Sequence, residues 1–170
     1  RYDISDEMKW EEFIQTSNNG TLFHRRKFLN YHIERDFIDH SLIFEKKGKL
    51  IALLPAAEMH DSNGEKRLHS HPGATFGGLI YTKLNFEETD LIIQELIEYS
   101  RNNGFASIFI IPPSQLYHKI FNESTEYLLH WHGFNGEEIY HSSIIDLTAK
   151  ENASELVSQR KRRYLKKIEA

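Results

Sequence analysis

Apolar residues recur at helical spacing near the start of the chain. The pattern within residues 6–15 predicts an amphipathic helix whose first turn is capped by Ser5 or Asp6. Its apolar face consists of Trp10, Phe13 and Ile14. A second helix is predicted over residues 25–33. The basic residues expected on its solvent side are Arg25, Arg26 and Lys27.

Continuous apolar runs follow and predict strands that are covered on both faces. Residues 41–45 and 50–54, joined by a Lys- and Gly-containing turn, predict an antiparallel hairpin. The second strand could run on to Met59. A further turn at residues 61–64 returns the chain through residues 66–70, which predicts a meander of three or four short strands.

The period then changes back to helical. Asn85 and Glu88 have the spacing of a capping box, and the helix they begin is predicted to end at Asn103. Its apolar face consists of Ile92, Ile93, Leu96 and Ile97. A buried strand is predicted over residues 106–111 and a short helix over residues 124–131.

The last third completes an α+β pattern. Residues 139–147 predict a strand, and residues 151–170 predict a basic amphipathic helix that reaches the last residue without a stop signal. The order of elements favours a mixed α+β fold, in which a meander gives way to a strand–helix–strand half. We expect one domain over residues 1–150, with the final helix leading towards a further domain.

The most glycine-rich stretch covers residues 69–81 and leads into a short apolar run. A glycine pair, Gly77–Gly78, marks a place where the backbone bends or is closely approached. Two interpretations stay open: a tight turn between strands, or a loop that faces a polar ligand. In the second, the contacting residues are His71, Thr75, Phe76, Gly77 and Gly78.

Composition is that of an ordinary globular domain. The chain has 170 residues, of which 39% are hydrophobic and 27% charged. No apolar run approaches the length of a membrane span, and no signal-peptide pattern opens the chain. There is no cysteine, which excludes disulfides, thiolate metal sites and a cysteine nucleophile, and is compatible with a cytoplasmic location.

Charge is unevenly distributed. The net charge is −4, but residues 158–170 carry six basic side chains and one acidic, so the remainder sums to −9. A general nucleic-acid-binding role is therefore disfavoured, although this segment could hold an anion. Arg160 and Arg163 fall on one side of the predicted helix and could bind a phosphate or carboxylate.

Several kinds of active site are disfavoured. Ten histidines are present, but none has the spacing of a zinc motif, so we expect no metal site. A nucleophile elbow, a phosphate-binding P-loop and a dinucleotide fingerprint are all missing. Tyr117 and His118 follow a strand closed by Pro112–Pro113, a position where α/β proteins often bind ligands.

Five segments together resemble one family, the amino-terminal half of FemA/FemB-like proteins within the GNAT acyltransferase superfamily. They are residues 19–24, 39–42, 48–58, 69–81 and 158–168, with Thr75-Phe76-Gly77-Gly78 and the basic helix as the most specific elements. The resemblance implies a GNAT-like, mostly antiparallel mixed sheet flanked by helices, normally present twice in tandem.

The resemblance also implies that the two domains bind different substrates. The second domain of such proteins binds the acyl donor, an acyl-CoA or an aminoacyl-tRNA, and the first helps to bind a small-molecule or sugar-linked acceptor on a cell-wall or polysaccharide precursor. GNAT domains that hold coenzyme A use a glycine-rich loop at a helix N-terminus. After Ile111 this chain has Pro112-Pro113-Ser114 instead, so we expect it to bind no cofactor itself.

The sequence therefore predicts the acceptor-binding domain of an acyltransferase, inactive alone, whose partner is a second GNAT-like domain. Nucleic acid would be a partner only if the donor is an aminoacyl-tRNA. The residues expected to contact the acceptor are His71, Thr75, Phe76, Gly77, Gly78, Tyr117, His118, Arg160 and Arg163. The alternative is a non-catalytic binding or scaffolding module with the same shape.

Overall fold

The computed structural model describes residues 1–31, 37–136 and 158–162. Contacts divide the chain into two compact units, residues 1–134 and 135–170. All helices and strands named below belong to the first unit.

Two predictions for the end of the chain lie wholly or largely outside the described residues. These are the strand over residues 139–147 and the domain boundary near residue 150. Of the helix predicted over residues 151–170, only residues 158–162 are described, and residues 159–162 are helical. The two-domain organisation stays a prediction.

Two helices, α1 (Glu7–Thr16) and α2 (Arg26–Leu29), begin the fold. The cap of α1 differs from the prediction, because a short 3-10 turn, Ile4–Asp6, precedes the helix and Asp3 caps that turn by accepting from Ser5 N. The predicted apolar face of α1 is confirmed. Its buried residues are Trp10, Phe13 and Ile14.

Arg26 is buried, which corrects the prediction that it faces solvent. Its guanidinium carbon lies 3.9 Å from the centroid of the Tyr2 ring. The same group donates to Ser41 Oγ at 3.0 Å and forms an ion pair with Asp39. Because a buried charge is stable only when it is paired, these contacts tie α2 to the strand region that follows.

Within the part of the chain that the structure describes, six strands form two three-stranded sheets. They are β1 (Leu42–Lys46), β2 (Lys49–Leu54), β3 (Ala57–His60), β4 (Lys66–His69), β5 (Ile80–Tyr81) and β6 (Ser107–Phe109). The first sheet has the order β1-β2-β5 and is antiparallel, which confirms the predicted hairpin. The second has the order β3-β4-β6, with β3 and β4 antiparallel and β4 and β6 parallel.

The strand that was predicted to continue to Met59 is broken instead. β2 ends at Leu54 and β3 begins at Ala57, because Pro55 lies between them and has no amide to donate to a ladder. The Ala56 amide donates to Ser41 Oγ at 3.2 Å. This break transfers the chain from the first sheet to the second.

Helices α3 (Phe86–Asn102) and α4 (Ser124–Trp131) pack beside each other. The predicted capping box is confirmed: Asn85 accepts from Glu88 N, and Asn85 N donates to the Glu88 carboxylate. The buried face of α3 consists of Thr89, Ile92, Ile93, Leu96 and Ser100. His132, just after α4, lies 2.6 Å from the Asp90 carboxylate of α3.

The architecture is α+β, with mostly antiparallel strand pairing flanked by helices, as predicted, but the strands form two sheets where one was expected. One core cluster joins α3 to the second sheet and the strands next to it. Its residues are Leu42, Leu54, Ala56, Leu68, Leu96 and Phe105. Among the described residues, no helix combines the length and apolar character needed to cross a membrane.

Candidate functional site

The stretch between β4 and β5 is hydrogen-bonded to the segment that follows β6. Ser70 N donates to Phe109 O at 2.9 Å, and Ile111 N donates to Ser70 Oγ at 2.8 Å. Gly77 N donates to Ile111 O at 2.8 Å. The fold therefore brings together the Gly-Gly stretch and the Pro-Pro segment, the two loops that the sequence singled out.

Both glycines of the pair lie where a side chain would collide with backbone. A Cβ on Gly77 would lie 3.0 Å from His71 N. Gly78 has a φ of +82°, and a Cβ there would lie 3.0 Å from the Cα of Pro112. The close approach expected at these residues is made by the chain itself, and both glycines are buried. Their contact with a ligand stays a prediction.

His71 and Thr75 lie in different environments. His71 is buried and its Nδ1–H donates to Pro72 O at 3.0 Å, because a carbonyl oxygen can only accept. Burial lowers the pKa of His71 to about 4, so the ring is neutral near pH 7. Thr75 is exposed, which leaves its hydroxyl open to a solute.

Phe76 and Tyr117 meet at this junction, with ring centroids 5.3 Å apart. They end a continuous series of ring contacts that we call the aromatic row. It consists of Tyr31, Phe28, Phe23, Phe76 and Tyr117, with successive centroid distances of 5.5, 5.1, 4.8 and 5.3 Å. Tyr117 is 50% exposed, so the row presents an aromatic face to solvent at this end, and Thr75 directly precedes Phe76 of the row in the sequence.

The fully buried His24 fixes the backbone of this loop, a role that the sequence analysis did not assign. Its Nδ1 accepts from Thr21 N at 2.9 Å, so the proton lies on Nε2, which donates to Gly77 O at 3.1 Å. Burial lowers the pKa of His24 to about 4. The spacing of Thr21 and His24 is that of a capping box, a local signal that could have identified the pair.

Asn18 and Asn19 hydrogen-bond to backbone groups along the edge of β5 that does not pair with β2. Asn19 Nδ2 donates to Leu79 O at 2.8 Å, and its Oδ1 accepts from Tyr81 N at 3.1 Å. Asn18 N donates to Tyr81 O at 2.6 Å. Three polar backbone groups that would otherwise be free to pair with another strand or an extended ligand are therefore satisfied within the chain.

A cavity of about 30 Å³ is lined by residues of β5, α3, α4 and the segment after β6. Pro112 and Pro113 have no amide hydrogens, so the hydrogen bonding that reaches Ile111 cannot continue past them. Much of the wall is apolar, from β5, α3, α4 and residues 110–113. The polar part includes Tyr81, Gln115, His118 and Thr125.

His118 lies on this cavity, whereas the adjacent Tyr117 lies on the aromatic row. Burial lowers the pKa of His118, which favours the neutral ring. Two neighbouring residues of one loop thus serve two different surfaces.

The first turn of α3 is unsuited to an anion. Its capping groups, Asn85 and Glu88, already hydrogen-bond each other, and Glu87 adds a second carboxylate. Lys46 is paired with Glu88 at 2.7 Å. A helix N-terminus that binds a pyrophosphate offers free amides and a positive field. Here the Glu88 amide already donates to Asn85, and the carboxylates of Glu87 and Glu88 oppose the field.

The two arginines expected to contact the acceptor, Arg160 and Arg163, do not belong to the first unit. Arg160 is exposed and belongs to the second unit, and Arg163 lies outside the described residues. Within residues 1–31, 37–136 and 158–162, no three His, Asp or Glu side chains form a group that could hold a metal ion.

No family model matches this sequence, and no curated protein matches it either. Solved structures do match the fold. A ribosomal-protein-alanine N-acetyltransferase from Brucella melitensis biovar Abortus 2308 is 12% identical, with a TM-score of 0.52 over 86% of this chain and 95% of that chain. A transcriptional regulator from Bacillus halodurans C-125 is 10% identical, with a TM-score of 0.52 over 85% of this chain and 96% of that chain.

These likenesses concern the fold. The chain has the fold of the GNAT N-acetyltransferases, as its sequence resemblance implied. The finer resemblance to FemA/FemB-like proteins stays a prediction.

Proposed function

We propose that this chain is the acceptor-binding domain of an N-acyltransferase and works beside a separate donor-binding domain. The reaction is attack of an acceptor amine on an activated acyl carbonyl, and the acceptor is an amine on a cell-wall or polysaccharide precursor. The observation that carries this proposal is that Asn18 and Asn19 hydrogen-bond to the edge of β5, so that this edge is not available to an extended donor.

The start of α3 and the Pro112–Pro113 segment also support the assignment of donor binding to a separate domain. A donor such as an acyl-CoA carries a pyrophosphate, which needs free amides or basic side chains. The first turn of α3 provides a closed capping box and two carboxylates instead. In the segment after β6, Pro112 and Pro113 have no amide hydrogens to offer. Donor binding is therefore assigned to another domain, whether the donor is an acyl-CoA or an aminoacyl-tRNA.

Acceptor binding is assigned to the open side of the loop junction. Tyr117 and Thr75 are exposed there, next to the aromatic row. An aromatic face with a hydroxyl beside it suits a ring-containing, hydroxyl-rich solute. Burial lowers the pKa of His71 to about 4 and lowers that of His118 as well, and the proton of the reacting amine is not assigned to either.

The β5 edge that Asn18 and Asn19 occupy is also compatible with one alternative. This is a binding or scaffolding module that has the GNAT shape and takes no part in chemistry. The two functions differ in what they bind. The acceptor domain binds a nucleotide-linked amino sugar or muramyl peptide, whereas the module binds neither.

Titration calorimetry on this chain tests the proposal with UDP-linked amino sugars, a UDP-linked muramyl pentapeptide and acetyl-CoA. We expect one of the first two classes to bind and acetyl-CoA not to bind. Tyr117→Ala and Thr75→Ala should each weaken acceptor binding by about fivefold or more. The matched control is Tyr127→Ala, an exposed tyrosine of α4 that lies away from the aromatic row.

Two results would contradict the proposal. Binding of acetyl-CoA would show that the domain holds a donor after all. Failure of every acceptor class to bind would favour the scaffolding module.

A further inference from the structure

One face of the second sheet lies away from α3. Leu68 packs in the core with Leu96 of α3, and Ile108, its partner on β6, packs against the same cluster. Because successive side chains of a strand point to opposite sides of the sheet, the neighbours of Leu68 and Ile108 lie on the other face, which we call the Arg67 face. It consists of Arg67, His69, Ser107 and Phe109. All four are half-buried.

Arg67 is the only half-buried or buried lysine or arginine of the described residues that has no carboxylate partner. The three others each form an ion pair. The pairs are Arg25–Glu11 at 3.5 Å, Arg26–Asp39, and Lys66–Glu58 at 2.8 Å. Removing a charge from water is costly unless the charge is paired, so an unpaired guanidinium on this face indicates a place for an anion.

The guanidinium of Arg67 is held on one side and open on the other. Its Nε donates to Ser107 Oγ at 3.1 Å, and its central carbon lies 5.4 Å from the centroid of the Phe109 ring. Nη1 and Nη2 form no hydrogen bond within the described part of the chain, and neither is one of its buried unpaired atoms. Both terminal nitrogens are therefore accessible to a solute, and together they form the fork of donors that a carboxylate matches.

The charge of the Arg67 face suits a ligand with a single negative charge. Burial lowers the pKa of His69, and the charge of Arg67 acts in the same direction, so the imidazole is neutral near pH 7. The neighbouring Lys66 is already paired with Glu58. One uncompensated positive charge is left on the face, and it is that of Arg67.

Apolar groups beside the guanidinium indicate what the rest of the ligand is like. Met59 is the β3 partner of Arg67 and lies on the side of β4 opposite Ser107. The ring centroids of His69 and Phe109 are 4.8 Å apart. A small anion would leave these surfaces in water, whereas an aromatic or aliphatic body next to the anionic group would cover them.

We propose that the Arg67 face binds an organic monocarboxylate, free or as part of a larger molecule. The two carboxylate oxygens accept from Nη1 and Nη2 of Arg67, and the adjoining apolar body lies against Phe109 and Met59. This binding is separate from the acceptor and donor sites discussed above, and it stands whether or not the domain takes part in acyl transfer.

The test titrates the whole chain with three probes: benzoate, benzamide and inorganic phosphate. Binding is followed by the ¹⁵N–¹H signals of Arg67 Nε and of the backbone amides of Ser107 and Phe109. We expect a saturable shift with benzoate, none with benzamide, which has the same shape and no charge, and weaker binding of phosphate, which has no apolar body. A benzamide shift equal to that of benzoate, tighter binding of phosphate, or no saturable shift with benzoate would overturn the proposal.

Two substitutions separate the charge of Arg67 from its fork of donors, with the Ser107 and Phe109 amides as the readout. Arg67→Met keeps the aliphatic part and should weaken benzoate binding by about tenfold or more. Arg67→Lys keeps the charge without the fork and should weaken it by about threefold. The control is Arg101→Met, at the exposed end of α3, which should leave the affinity unchanged.

Unchanged affinity in Arg67→Met, or an equal loss in Arg101→Met, would refute the assignment. Unchanged affinity in Arg67→Lys would refute the paired hydrogen bonds. The comparison of benzoate with benzamide on the unmodified chain decides the matter even if Arg67→Met fails to fold.

Discussion

Acidification should destabilise this fold through two histidines that are buried in the neutral state. Burial lowers the pKa of both His24 and His71 to about 4, from an ordinary value near 6.5. The unfolded chain takes up protons at these residues below about pH 6.5, whereas the folded chain does not do so until about pH 4. Their stabilising contribution is therefore complete above pH 6.5 and is lost as the pH falls towards 4.

The size of the effect follows from the two pKa values. Between pH 8 and pH 5, each histidine should cost about 2 kcal/mol of unfolding free energy, or about 4 kcal/mol together. A single domain has a stability of roughly 5–15 kcal/mol, so the loss is a large share. Burial also lowers the pKa of three further histidines, and these act in the same direction. They are His40, His69 and His118.

Guanidinium unfolding followed by circular dichroism at pH 8 and pH 5 measures the loss. His24→Gln keeps one acceptor and one donor but cannot titrate, so its loss between the two pH values should be smaller than that of the unmodified chain by about 2 kcal/mol. The control is His60→Gln, where the side chain is 60% exposed. The reasoning is refuted if His24→Gln shows the same pH dependence as the unmodified chain.

Three further substitutions test the packing of the loop junction by denaturant midpoint. Gly78→Ala should cost about 2–4 kcal/mol, and Gly64→Ala, which has a similar φ of +79° but open space around it, only about 1 kcal/mol; equal costs would contradict the close approach. Asn19→Ala should cost about 2–4 kcal/mol because it removes two buried hydrogen bonds, whereas Asn63→Ala, in an exposed turn, should be nearly neutral. Arg26→Met should cost about 1–3 kcal/mol, since it removes the ion pair with the partly exposed Asp39 and the hydrogen bond to Ser41; a loss below 1 kcal/mol would show that the ion pair is dispensable.

Local patterns in the sequence predicted the elements whose causes lie within a few residues. The capping box of Asn85 and Glu88 and the apolar face of α1 were correct, because helix caps and i, i+4 contacts depend on neighbours in sequence. The hairpin of β1 and β2 was also correct. The strand predicted through Pro55 was wrong, although the proline itself was the available signal.

The candidate site was only partly predictable. The position of Tyr117 and His118 after a strand closed by Pro112–Pro113 predicted that they lie near a strand end. It did not predict that Tyr117 belongs to an aromatic row and that His118 lines a separate cavity. Arg26 was expected in solvent because its neighbours in sequence are basic. Its burial depends on Tyr2 and Asp39, which reach it only after the chain has folded.

The sequence by itself determined that α1, α3 and the β1–β2 hairpin form, which faces of the two helices are apolar, and that the backbone is closely approached at Gly77 and Gly78. Tertiary structure alone decided what fills the space beside them. His24 reaches the Gly77 carbonyl across 53 positions of sequence, and Asn19 reaches β5 across about 60. Contacts at such separations leave no periodic trace in the chain, because they arise from how whole elements pack and not from the spacing of residues along one of them.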